Sequence, residues 1–147
     1  MTTAFAAKTA LVDLLSNAPE LADLTPDDIW YGYLGGNAGQ RPREVIWVGE
    51  IAWDATDGAT LGYLRRDETY QIMMTVESHV PGDDQAAANG RVASRMSTIV
   101  ELLRDPRSLG VPGIYECGIV PQMLGEGADP GGRGAMYVVG VKIRARF

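Results

Sequence analysis

One histidine and one cysteine in 147 residues leave little material for the commonest kinds of active site. Any histidine acid, base or metal ligand has to be His79. A zinc site would lack soft ligands, since Cys117 and His79 supply only two. The lone Cys117 also excludes an internal disulfide framework, and it suits a reducing compartment. A Gly-x-Ser-x-Gly turn, which would expose a nucleophilic serine, occurs nowhere. There is no apolar run of about 18 residues, so no membrane span is expected. Lys8 and Asp13 interrupt the apolar N-terminus, which argues against a secretory signal. A net charge of −6 argues against a nucleic-acid backbone as the main partner.

What is present fits an ordinary globular chain, with 46% hydrophobic and 22% charged residues. Its length fits a single domain over residues 1–147, with no repeat, low-complexity tract or dividing linker. Charge is unevenly distributed. The first thirty residues hold Asp13, Glu20, Asp23, Asp27 and Asp28 against Lys8 alone. Arg133, Lys142, Arg144 and Arg146 close the chain with no acid among them. Such asymmetry fits two complementary surfaces, within one molecule or between copies, and equally fits solvated charge.

Periodicity gives the order helix, three strands, helix, two strands. Ala4, Ala7, Leu11, Leu14 and Leu15 form a helical stripe, with Thr2 or Thr3 as cap and Pro19 as stop. Ile29–Leu34 reads as a strand, followed by a glycine-rich loop over 35–42. In REVIWVGEIAW, Val45, Trp47, Gly49, Ile51 and Trp53 face one way. Ile46, Val48, Glu50 and Ala52 face the other, where only Glu50 looks out of place. DATDG, with its Asp-Gly pair, reads as a turn. Tyr70, Ile72, Met74 and Val76 alternate against Gln71, Met73, Thr75, Glu77 and His79.

The period then switches to 3.6, with Ala88, Val92, Met96, Ile99 and Leu103 on one stripe and Asp83 or Asp84 as cap. Pro121 marks the next strand as an edge or a bend. In the last strand Tyr137, Val139, Val141, Ile143, Ala145 and Phe147 share a face. A second glycine-rich loop is expected over 125–134. The pattern predicts an α+β fold: a mostly antiparallel sheet of about five strands with two helices packed on one face.

No constellation looks catalytic. Ser78 and His79, as neighbours on a strand, point to opposite faces, which disfavours a Ser-His-Asp set with Asp83. The carboxylates at Asp54–Gly58 and at Asp83–Asp84 lack the spacing of a calcium loop and sit where turns and caps want Asp. GEGADPGGRG lacks the Gly-Lys-Ser/Thr ending of a phosphate loop and precedes a strand. No metal and no cofactor are expected.

The ordered set ALVDLLSNAPEL, WYGYLGG, REVIWVGEIAW, YQIMMTVESHVPGDDQAAANGRVASRMSTIVELLRD and MYVVGVKIRARF resembles the tail terminator proteins of long-tailed bacteriophages. Head–tail joining and tail completion proteins share much of this pattern. The resemblance implies a non-enzymatic virion protein, assembled in the host cytoplasm, that forms a ring, usually a homohexamer. Such a ring sits at the head-proximal end of the tail tube, stops its polymerisation and offers the docking surface for the head. Its implied partners are other copies of itself, the tail tube protein and the head–tail connector protein, with DNA passing through the lumen without specific binding. Two alternatives stand beside it: a head completion or stopper protein, and a small α+β enzyme using Glu77, His79 and Asp83. Interface residues are inferred from charge and loops: Glu50, Glu77, Gly125, Glu126, Asp129, Arg133, Lys142, Arg144 and Arg146. In this reading the basic last strand meets acids such as Glu50 or Glu77, and the glycine-rich loops order on contact with tube or head proteins.

Overall fold

The computed structural model describes residues 2–24, 28–32, 44–54 and 67–146. The expected loop over 35–42, the turn at 55–58 and Phe147 lie outside them. In chain order the elements are α1 (Ala4–Asn17), β1 (Ile29–Tyr31), β2 (Glu44–Trp53), β3 (Asp67–Val80), α2 (Gln85–Leu102), β4 (Ile114–Asp129) and β5 (Gly132–Arg146), with short 3-10 turns at Pro19–Leu21 and Pro106–Leu109. The sheet order is β1-β2-β3-β5-β4. Every neighbouring pair is antiparallel except β1 and β2, which run parallel. The fold is α+β, with both helices on one side of a mixed five-stranded sheet.

The core is built from the two periods read in the sequence. α1 buries Ala4, Ala7, Leu11 and Leu15; α2 buries Ala88, Val92, Met96 and Ile99, with Leu103 just beyond its end. They pack on Tyr70, Ile72, Met74 and Val76 of β3 and on Val139, Val141, Ile143 and Ala145 of β5. Asp84 is the cap of α2, accepting the Ala87 N–H at 2.9 Å. Asp83 is held elsewhere, by Arg133 at 2.7 Å. α1 has no side-chain cap from Thr3. Its entry is fixed instead by Glu68 of β3, which accepts the Thr3 N–H and hydroxyl at 3.0 Å and also bonds the hydroxyl of Thr2.

Two expectations are corrected. Strict alternation along β2 fails because one extra residue enters between Val48, opposite Met74, and Ile51, opposite Ile72. This bulge moves Ile51 and Trp53 to the helix side and leaves Glu50 exposed, which resolves the charge that looked misplaced. The stretch 125–134 is not a loop. Gly125, Gly127 and Gly134 lie in paired strands, and only Pro130 and Gly131 form the turn. Asp129 closes that turn by accepting the Gly131 N–H at 2.7 Å. Pro121 does mark an edge: β4 is the outer strand, with a register shift between Pro121 and Met123.

Candidate assembly surfaces

Three features of the sheet bear on assembly: the side away from the helices and, among the described residues, the two outer edges. Paired residues share a side, so the register defines a transverse row, Trp30, Trp47, Thr75, Val138 and Met123, on the side opposite the helices. Val45, Met136, Met73 and Val120 flank it. No described helix packs on this side. Its ends are polar, with Lys142, Arg144 and Arg146 at one end and Glu77, His79 and Asp129 at the other.

The expected interface residues fall into groups. Arg146 binds Asp67 of β3 at 2.6 and 3.0 Å, and Arg144 reaches Glu116 of β4 at 3.4 Å. Within one chain they therefore meet acids of their own sheet neighbours: Glu77, though on the adjacent β3, pairs with Met136 toward the other end of β5, and Glu50 lies on β2, which does not border β5. The Arg146 guanidinium beside Asp67 holds that carboxyl below the usual range. Lys142 lies between Gln71 and Gly118 in the register. Arg133, Asp129, Gly125 and Glu126 gather at the far end of the β4–β5 hairpin. There Asp129 meets His79 at 3.2 Å and Glu126 accepts from Asn89 at 2.7 Å. The hydrogen bond from His79 is the main reason the Asp129 carboxyl is held down. Glu50 lies exposed on the β2 bulge. Glu77, half-buried, accepts from the Trp47 indole at 3.4 Å.

Sequence reasoning missed Arg95. It is nearly buried and forks onto Asp23 at 2.7 and 2.8 Å while also pairing with Glu44. The acidic N-terminal segment is thus tied in part to α2 of the same molecule. An acid-rich segment facing the arginines Arg91 and Arg95, one turn apart on a helix, was the available signal.

The enzymatic alternative names Glu77, His79 and Asp83. Glu77, His79 and Asp83 are each engaged with a different partner, Trp47, Asp129 and Arg133. Burial pushes the Cys117 thiol up to about 11, so it is no ready nucleophile. Burial also pushes Tyr70 up to about 12. Among the described residues no cluster of three His, Cys, Asp or Glu is placed to hold a metal, and no helix is long and apolar enough to cross a membrane.

No known family matches the chain, and no curated protein is similar to it in sequence. A solved structure is similar in fold: a chain in the virion of a native gene transfer agent particle. It aligns with a TM-score of 0.61 at 12% identity, over 98% of this chain and 98% of that one. The two share an architecture from end to end.

Proposed function

We propose that this chain is a structural virion protein of a phage-type particle, forming a ring at the head-proximal end of the tail tube. There it stops tube polymerisation and presents the docking surface for the head. The observation that carries this reading is the end-to-end likeness in fold to a chain of a gene transfer agent virion. The ordered sequence resemblance to tail terminators adds the position in the tail. Exposed Trp30 and Met123 at the margins of a sheet side with charged ends are the kind of surface that partner proteins cover.

A ring of identical copies needs two different, complementary faces on each subunit. Its neighbours would be the tail tube protein on one side and the head–tail connector protein on the other. A net charge of −6 is compatible with a lumen that lets DNA pass without holding it. Immunogold labelling of particles from the phage that encodes the chain tests the position. Label at the junction of tail and head is expected. Label along the tube shaft or over the head shell would contradict it, and label retained on tailless heads would move the protein to the head side, as a stopper.

A further inference from the structure

The two outer edges of the sheet are unlike each other, and their chemistry matches. β4 is sixteen residues long, carries no Lys or Arg and has a single proline. Monomeric proteins protect such an edge with lysines, prolines or a short strand, and of these devices β4 carries only Pro121. At the opposite end of the sheet, β1 offers a short edge rich in aromatic residues.

Both edges expose apolar side chains on each side of the sheet. On the helix side Tyr31 stands at the β1 edge, 53% exposed, and Leu124 at the β4 edge, 51% exposed. On the other side stand Trp30, 36% exposed, and Met123, 50% exposed, a thioether and an indole suited to each other. Charge matches as well. The Lys8 ammonium of α1 lies 4.2 Å from the Tyr31 ring centroid. Glu126 sits on the helix side of β4, paired with Ala135 in the register and, among the described residues, bonded to the neutral Asn89 amide. Neither charge is met by an opposite charge on a described residue. Strand directions also fit: β2 follows β1, β3 reverses, β5 reverses again and β4 once more, so β4 runs opposite to β1.

We propose that β4 of one copy pairs antiparallel with β1 of the next, Glu126 facing Lys8 of that copy, so that successive subunits share one continuous sheet. The partner is a second copy of this chain, and the inference rests on the ring reading above. Such a contact is heterologous, and in the closed ring of the reading above its repetition removes the free edges of every subunit.

The test is native mass spectrometry and sedimentation of the full chain as wild type, Lys8→Glu, Glu126→Lys and the double swap, with circular dichroism confirming the fold of each. Wild type is expected to assemble. Each single reversal should weaken association roughly tenfold or more, and the double swap should restore it. Leu124→Lys, which leaves the Asn89 contact alone, should weaken it too. If wild type assembles and the variants assemble equally well, edge pairing is overturned while the ring stands. Single losses without rescue in the double swap also overturn it. A wild type that stays monomeric at every concentration overturns the ring reading itself.

Discussion

The carboxylate of Glu68 accepts the backbone N–H of Thr3 at 3.0 Å, tying the first turn of α1 to the start of β3 across 65 positions of sequence. The same carboxylate takes the Thr3 hydroxyl and the Trp53 indole N–H at 3.3 Å, and Thr3 in turn meets the Tyr70 hydroxyl at 2.8 Å. One buried acid therefore does for α1 what a local cap does for α2.

Glu68→Ala would leave the Thr3 donors without their acceptor in a buried place. The expected cost is about 2 kcal/mol. Thermal unfolding should show a melting point lower by roughly 4–8 °C. An unchanged melting point would mean that α1 is held by its apolar stripe alone.

The same group sets a pH dependence. Burial pushes the Glu68 carboxyl upward, but the hydrogen bonds from Thr2, Thr3 and Trp53 together outweigh it and hold the group below its usual range. A depressed folded value means stability is present above the unfolded value, about 4.3, and is lost as pH falls through the folded one. Melting curves from pH 7 to pH 3 should fall more steeply for wild type than for Glu68→Gln. Parallel curves would contradict the assignment.

Arg95→Ala would take the fork from Asp23 and leave Glu44 with Arg91 alone, at the junction of α2 with β2 and the segment after α1. Because charge-assisted, forked hydrogen bonds are lost, a cost of about 1–3 kcal/mol is expected. Arg95→Lys should recover only part of it, since one ammonium cannot reproduce the fork. Equal stability of Lys and Arg would show that charge alone matters there.

Gly132 begins β5 with φ at 151°, and a Cβ placed there would lie 2.1 Å from the Val80 carbonyl oxygen. Gly132→Ala should cost about 1–3 kcal/mol. Gly127→Ala, where a Cβ meets nothing within 4 Å, should be close to neutral. Denaturant midpoints check this, and equal midpoints for the two variants would contradict the close approach at Gly132.

Much of this fold was legible because two clean periods persist over long elements. The stripe from Ala88 to Leu103 and the alternation from Tyr70 to Val76 each place every residue on the side where it is found. The β2 bulge was hidden, since an inserted residue leaves the composition alternating while the faces exchange; Glu50 was its one visible trace. Glycine enrichment misled at 125–134. Pairing of β4 with β5 supplies the order that glycine lacks, and only the turn and Gly132 use its freedom. The parallel β1–β2 pair and the Arg146–Asp67 contact join segments far apart in sequence, where local pattern carries no information. Of the expected interface set, charge asymmetry was correct as composition, but Arg133, Arg144 and Arg146 already meet acids of their own chain.

The central claim is tested most directly by electron microscopy of tail tubes assembled from the cognate tube protein without this chain, then with it added back. Tubes that stop growing and carry a ring at one end are the expected result. Tubes that stay uncapped and keep elongating after addition would contradict the terminator role.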